Sequence, residues 1–510
     1  MVKEDMNFKL KKIAKSSIIV FLGIFISKLL TYVYKVVIAR NFGPEIFGLF
    51  SIAIMISGWF ITFSSLGLGG GLLRYLSFYI GKKDIKKARY IYQVSSRTII
   101  FSSIFFGAIL FFLSDFISIT LFHNQELSLF LKIFSFLIPL SILFSIFLGI
   151  LLSFERIGWY SFIFNILQNF VKVFSLILLI FLGVGIISVP FSYLLGAFFT
   201  FFISYLVCKK YIQEIFEKPL LEKKLKKKIS TELFSYSWPL LFSGVVYVIF
   251  YWADTFIVGV FKTPIDVGFY NVAITIALLL SVTPELFFTI FFPMITKEYS
   301  NKKFSTIKDL SKQINKWILI INLPILILIL LFPGVFINIL FGKEYILAEN
   351  SLRFLVLGMF FNSIFSISEK LLSMIGKSKV VFLNILFSLS VNIVLSIFLI
   401  QKYGIEGVAF STMLSIFILN ILLAYQTKKH LLFIPLKKET LKITLSSILA
   451  GSLLVVLDWF LEVKTLALIL FGFLFLLSYI FFILILKCLD KSDLLILDAI
   501  KRRLMSFNKK

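Results

Sequence analysis

Apolar residues in this chain come in runs of about 20, the length that crosses a bilayer as a helix, and short polar stretches separate them. With boundaries good to a few residues, the runs fall at about 16–38, 47–70, 91–113, 128–152, 159–182, 187–208, 234–260, 267–292, 315–333, 351–373, 379–400, 405–426, 442–460 and 465–487. The pattern predicts an all-α polytopic membrane protein of about 14 transmembrane helices. Composition agrees, because 59% of the 510 residues are hydrophobic and 17% aromatic.

The polar stretches alternate in charge. Lysine and arginine gather at Lys3 to Lys15, Lys82 to Arg89, Lys209 to Lys228, Lys297 to Lys316, Lys428 to Lys442 and Lys491 to Lys510. The connections between them, such as "SDFISITLFHNQE", "GVGIISVP" and "KTPID", hold almost none. The positive-inside rule therefore places both termini in the cytoplasm of a multi-pass plasma-membrane protein. The net charge of +26 is then a topology signal that also attracts anionic inner-leaflet lipids, and nucleic acid is not an expected partner. The lysines ahead of the first run resemble a signal peptide, but Lys28 interrupts the run and no small-residue cleavage site follows, so it reads as a retained first span. Cys208 and Cys488 fall at cytoplasmic helix ends and read as reduced packing residues. His123 and His430 lie on opposite sides of the membrane, and no metal site or cofactor is expected.

The chain also repeats itself. At an offset of 220, Pro44 meets Pro264, Gly48 meets Gly268, Ala53 meets Ala273 and Ile54 meets Ile274. At an offset of 219, Asn165 meets Asn384, Gly185 meets Gly404, Ser192 meets Ser411 and Leu195 meets Leu414. Six helices separate the copies, so both halves have one orientation in the membrane. This predicts two parallel six-helix bundles at 13–208 and 233–427, with a site between them and alternating access by rocking. A basic cytoplasmic linker (209–232) joins the bundles, and a basic connector (428–441), helices 13 and 14 (442–487) and a cytoplasmic tail (488–510) follow.

Candidate chemistry sits inside the spans. In "FNILQNFVKVFS", Asn165, Gln168, Asn169 and Lys172 recur at i, i+3, i+4 and i+7, on one helix face. Lys172 is ~20 Å deep at 1.5 Å per residue, so it should face protein or a water-filled cavity rather than lipid. The amides alone read equally well as glue between helices; the deep lysine favours the cavity. The second copy contributes Asn384, Ser388 and Asn392, and the first helix adds Lys28, Thr31, Tyr32 and Lys35 at the same spacing. Lys35 lies near the outer end, where snorkelling is an alternative. Asp254 and Glu285 are the candidates for coupling an ion, Glu369 and Lys370 read as a pair at a helix end, and Arg74 is a candidate gate near the inner surface. Fixed lysines and amides in a low-dielectric cleft suit an anion, above all a phosphate carrying polar groups.

Several segments carry a family resemblance: "IARNFGPEIFGLFSIA", "SLGLGGGLLRYLSFYIGKKDIKKAR", "SYSWPLLFSGVVYVIFYWADTFIVG" and "FFPMITKEYSNKKF". In this order, over two bundles and two further helices, they resemble the polysaccharide flippase branch of the multidrug/oligosaccharidyl-lipid/polysaccharide exporter superfamily. The resemblance implies a twelve-helix core of two V-shaped bundles that moves polyprenyl-phosphate- or pyrophosphate-linked oligosaccharide to the outer leaflet. It also implies that membrane cations, here Lys28, Lys35 and Lys172, meet the phosphate, and that glycan-assembly enzymes are partners. The Arg–Asp pair of the first helix of related lipid II flippases has no evident match here.

On this reading Asn165, Gln168, Asn169 and Asn392 bond sugar hydroxyls, and no bond is made or broken, so no catalytic residue is expected. The alternatives are a cation-coupled multidrug exporter of the same fold and a membrane-embedded glycan polymerase or ligase. The second would need a carboxylate, histidine or arginine constellation on a substantial outer loop, and the outer connections are short and poor in such groups. A scaffold protein predicts that neutralising the lysines changes stability and not transport.

Overall fold

The computed structural model describes the backbone of residues 2–219, 221–437, 439–461, 467–490 and 493, and side chains from Val20 on apart from Leu220, Ile290, Pro293, Lys438, the stretch 457–470 and the same terminal positions. The predicted tail, beyond 488–490 and Asp493, and the side chains of Lys3 to Lys15 lie outside the described residues. In chain order the helices are α1 (Val2–Ser64), α2 (Leu68–Gly81), α3 (Ile85–Phe116), α4 (Glu126–Ser135), α5 (Leu137–Ser153) and α6 (Ile157–Ser161). A π-helical turn, Phe162–Leu167, leads into α7 (Gln168–Phe181), followed by α8 (Ser188–Tyr211), α9 (Lys223–Phe261), α10 (Pro264–Ala277), α11 (Leu279–Ser300) and α12 (Phe304–Leu331). The last are α13 (Pro333–Leu340), α14 (Glu349–Met374), α15 (Ser378–Leu431), α16 (Glu439–Leu461) and α17 (Ala467–Ile485).

Ten of these stretches among the described residues are long and apolar enough to cross a bilayer, or eleven when the bent pair α10 and α11 is included. Two of the ten are each a pair of helices run together, α1 breaking at Gly43 (φ 77°) and α15 at Gly404 (φ 57°). Both breaks lie where the apolar pattern places a connection, and a left-handed φ is open to glycine without steric cost. Gly185, which the repeat sets opposite Gly404, is also left-handed, with φ 74°. The second copy restarts after its break with a capping box: Thr263 Oγ1 accepts from the Asp266 N–H at 3.3 Å, and the Thr263 N–H donates to Asp266 Oδ2 at 3.1 Å. Pro264 occupies the first turn, where its missing N–H costs nothing.

The two copies touch most closely at these restarts. A Cβ on Gly48 would sit 1.8 Å from the Pro264 carbonyl oxygen, and one on Gly268 would sit 2.1 Å from that of Pro44. Residue and partner exchange places, as they do across a two-fold axis, and the pairs are those the repeat aligns. Nearby, Arg40 donates to the carbonyls of Leu340 at 3.0 Å and Asn338 at 3.2 Å, and Tyr345 OH donates to Ala39 O at 3.2 Å. At the opposite, basic end, α2 crosses α9: a Cβ on Gly67 would lie 2.2 Å from Ser237 O, and Tyr75 OH donates to Glu232 O at 3.2 Å.

The C-terminal helices are fastened to α12 by buried charge. Lys316, counted with the basic connection from sequence, is instead fully buried, bonded to Asp493 and 3.4 Å from Asp490 Oδ2. Trp317 Nε1 donates to Asp493 Oδ1 at 2.7 Å, Lys437 Nζ to Asp490 Oδ2 at 2.6 Å, and Tyr479 OH to Ile320 O at 3.0 Å. Burial works against the Asp490 charge, but the Lys437 hydrogen bond, the Asp493 N–H and the Lys316 and Lys437 charges outweigh it and hold this carboxyl well below its usual range. Both cysteines are free and buried, Cys208 Sγ facing Phe147 O at 3.5 Å and Cys488 Sγ facing Ser446 Oγ at 3.6 Å.

Gly48→Ala and Gly268→Ala each press a methyl onto backbone that cannot give way, so thermal unfolding should show each variant destabilised, by about 1–3 kcal/mol or more, and to a similar degree. Asp493→Asn strips the buried Lys316 of its nearest anion and should cost about 3–5 kcal/mol. Because the Asp490 carboxyl is depressed, its contribution is fully present above the unfolded value near pH ~4 and is lost as pH falls through the folded value. A pH series of melting temperatures checks it.

Candidate functional site

A cleft of about 540 Å³ lies between the N-terminal half of α1 and the second bundle, walled by α9, α10, α11, α14 and α15. The α1 stripe enters it as the 3.6-residue period requires, bringing Lys28, Thr31, Tyr32 and Lys35 to the wall. Lys28 Nζ pairs with Glu285 Oε2 at 2.9 Å across the two bundles, and Lys35 Nζ donates to Thr275 Oγ1 at 2.9 Å. Tyr32 OH is committed to the Thr275 carbonyl at 2.7 Å. Lys35 is therefore held by neutral oxygen inside the cleft, and the snorkelling alternative does not describe it.

Opposite Lys35, α9 presents Asp254, which is 6% exposed. Its carboxyl lies near the side chains of Thr412, Asn392 and Tyr270. Asn392 Nδ2 points to Thr412 Oγ1 at 3.3 Å and Ser415 Oγ at 3.4 Å, while its Oδ1 is buried without a partner. One carboxylate, an orphaned amide oxygen and hydroxyl oxygens form a hard, oxygen-only donor set, fit for an alkali cation or a proton and not for a soft transition metal. Among the described residues no three metal-ligating side chains of the His, Cys, Asp and Glu type gather anywhere.

The wall is mixed in sign, with Asp254, Glu285 and Glu369 beside the two lysines, which corrects the cationic lumen expected from sequence. Two of the carboxylates have cations of their own, Lys28 for Glu285 and Lys370, at 3.2 Å, for Glu369. Among the described residues Lys35 and Asp254 are the wall charges with no ion pair.

The opening stretch of α7 goes elsewhere. Asn165, Gln168, Asn169 and Lys172 are all buried, and none lines this cleft. Asn169 Nδ2 donates to Ser27 Oγ at 2.9 Å and to Asn165 O at 3.0 Å, and Asn165 Nδ2 to Ser161 Oγ at 3.1 Å. These bonds fasten α7 to α1 and to its own preceding turn. The Lys172 ammonium lies 3.8 Å from the centroid of the Tyr193 ring, and its stem fills the space that Gly196 leaves open, where a Cβ would come within 2.4 Å of Lys172 Cγ. Arg74 sits at the α2–α9 crossing with its guanidinium 4.1 Å from the Tyr236 ring centroid, so it joins the two bundles at the basic end, where a gate belongs.

Sequence reasoning missed Tyr247 and Tyr251 of α9, one turn apart and both on the cleft wall. Their i, i+4 spacing was readable, but surrounding aromatics hid it.

The family described as "Polysaccharide biosynthesis protein" matches residues 13–299 and the family "MatE" residues 239–398. A Shigella flexneri protein named "Putative O-antigen transporter" is 28% identical over 388 residues, covering 73% of this chain and 88% of the relative. A Haloferax volcanii protein named "Probable low-salt glycan biosynthesis flippase Agl15" is 25% identical over 236 residues, covering 46% of this chain and 49% of the relative. In fold, the chain is similar to the lipid II flippase MurJ in an inward closed conformation, with a TM-score of 0.73 at 20% identity over 91% of this chain and 98% of that one. An inward-facing multidrug resistance MATE family transporter follows at 0.66 and 14% identity over 81% and 98%.

The placements separate the lysines by role. Lys172→Ala removes a packed stem and a desolvated cation–π contact and should destabilise by about 2 kcal/mol or more. Lys28→Ala breaks a solvent-accessible pair and should cost less than about 1 kcal/mol. Thermal unfolding of both variants in one detergent measures the difference, and equal losses would contradict the assignment.

Proposed function

The chain belongs to the polysaccharide biosynthesis protein family, and from that membership we propose that it is a flippase carrying lipid-linked oligosaccharide across the membrane by alternating access. The single observation that supports this most is the pair of unpaired charges on the cleft wall, Lys35 on α1 and Asp254 on α9. An anionic head group answers the first and a coupling cation the second.

In this reading the basic end faces the cytoplasm of the cell that makes the glycan, and both termini lie there. The head group enters the cleft while the prenyl tail stays in lipid. Its phosphate takes the Lys35 ammonium in a charge-assisted bond and competes with Glu285 for Lys28, loosening the ion pair that links the bundles. Asn392 orders the Asp254 cluster, where a proton or alkali cation binds. Asn169, seated on the Asn165 turn beside the buried Gln168, ties α7 to α1 through Ser27, and Lys172 ties α7 to α8, so these helices move as one body. Rocking then presents the head group to the outer leaflet, and no covalent bond changes, so the protein acts as a transporter without catalytic residues or cofactor. Enzymes that build and use the glycan are the partners this role requires.

A multidrug exporter coupled to a cation is the second reading, favoured by the three carboxylates and the tyrosines on the wall. The two differ in the sign of what is carried.

Transport of a fluorescent polyprenyl-pyrophosphate oligosaccharide in proteoliposomes tests the proposal. Lys35→Ala should lower flux about tenfold or more, the worth of a hydrogen bond to a charged group, with the melting temperature preserved. Asp254→Asn should keep substrate binding and abolish the dependence of flux on an imposed proton or sodium gradient. Full flux in folded Lys35→Ala would sink the phosphate assignment, and wild-type protein that exports organic cations but moves no lipid-linked glycan would install the second reading.

A further inference from the structure

The cleft contains two rings that nothing in the fold uses. Tyr247 and Tyr251 line it while remaining 61% and 48% exposed. Among the described residues neither hydroxyl has a hydrogen-bond partner, unlike Tyr32, whose hydroxyl is bound at 2.7 Å to Thr275 O, or Tyr270, bonded to Thr412 at 3.2 Å. Tyr251 touches Trp252 in a T-shaped pair, at 5.1 Å between centroids and 83° between ring planes, yet is still 48% exposed. One helical turn separates the two tyrosines, so they stand on one face of α9, about 6 Å apart along the axis. The same face continues to Asp254, at i+3 from Tyr251.

Exposed aromatic faces inside a membrane protein are commonplace where they meet lipid, but these line a cleft that the polar stripe of α1 also lines. The rest of the wall is mixed, Thr31, the two lysines, Ser281 and Asn362 standing among aliphatic side chains such as Leu278, Leu355, Ile385 and Leu419. An aromatic face carries negative charge density and attracts positively polarised edges. A pyranose ring in a common chair offers such an edge: its axial C–H groups form a weakly positive, apolar face, while its hydroxyls radiate around the rim. A prenyl chain would use the rings but waste the surrounding hydroxyls and amides; a phosphate would use the lysines and avoid the ring faces. A sugar attached to a phosphate uses both.

We infer that Tyr247 and Tyr251 form a stacking platform for the sugar rings next to the phosphate, so that the cleft recognises a glycosyl phosphate as a unit, with the phosphate on the α1 lysines and the pyranose faces on α9. This rests on the lipid-linked glycan reading above. It makes selection depend on a ring with an apolar face and less on the pattern of its hydroxyls, since stacking is tolerant of substituents at the rim.

The experiment uses the full chain in lipid nanodiscs and two probes, polyprenyl pyrophosphate without sugar and the same carrier bearing a hexose oligosaccharide. Wild type should bind the glycosylated carrier more tightly than the bare one. The double variant Tyr247→Ala/Tyr251→Ala should lose about tenfold in affinity for the glycosylated carrier while its affinity for the bare carrier stays within about twofold, and Tyr247→Phe/Tyr251→Phe should recover most of the loss. A double alanine variant that binds both probes like wild type, or loses both equally, overturns the platform while leaving the flippase reading standing. Wild-type protein that binds neither probe overturns that reading, and the platform with it.

Discussion

Everything in this molecule turns on the close approach of two helix restarts, Pro44 to Gly48 and Pro264 to Gly268. Within a bilayer, apolar side chains gain little by leaving lipid for one another, and helices associate through tight packing of small residues instead. Each glycine here lies against a carbonyl of the other copy's proline, with no room for a single carbon between. That contact fixes the bundles at the basic-poor end, together with Arg40 and Tyr345. The second junction, α2 across α9, lies at the basic end and uses Gly67 and Tyr75. Between the two junctions the flanks are joined by the Lys28–Glu285 pair and by the bonds of Tyr32 and Lys35 to Thr275, contacts that a rocking motion of the kind alternating access needs must exchange.

The repeat proposed from sequence offers one account of how such a cleft acquires chemistry, with the two halves differing at matching positions. Tyr34, Phe50 and Tyr193 stand at the repeat offsets from Asp254, Tyr270 and Thr412. In the first bundle the three rings pack mutually, with centroids 5.7 to 6.0 Å apart, and Lys172 rests on one of them. In the second, the same three places hold a carboxylate and two hydroxyls in contact. One bundle has a filled aromatic interior, the other an ion-ready polar one. Its orphaned Asn392 oxygen is costly to bury unless a ligand answers it.

The apolar runs, and hence the connections in which both glycine breaks fall, were legible because they depend on a local rule, the hydrophobic length that crosses a bilayer. The α1 stripe was legible from a local rule too, and it does line the cleft. The α7 stripe shows where such reading stops. A 3.6-residue period says that Asn165, Gln168, Asn169 and Lys172 share a face, but not which neighbour that face meets, and a lysine laid on a tyrosine ring leaves no periodic trace. The Lys28–Glu285 pair, and the α12 clamp of Lys316 with Asp490 and Asp493, join residues far apart in the sequence, 177 positions for Lys316 and Asp493. Their partners come together only when bundles and C-terminal helices are packed, so sequence order placed Lys316 among the solvated basics.

The charge arrangement carries its own logic for coupling within the proposed reading. Lys35 and Asp254 stand one residue out of register at the sequence offset of 220, and both line the cleft. An unpaired ion in a low-dielectric interior costs several kcal/mol even after relaxation. With neither ligand bound, the cleft holds both uncompensated charges and favours hydration. With only the anion or only the cation bound, one charge remains exposed to the penalty when water leaves. With both, each wall charge has a partner and closing around the pair no longer strips an ion bare. Coupling then requires no wire between the sites, since the shared cost of dehydrating one cleft makes the two ligands favour each other's transit.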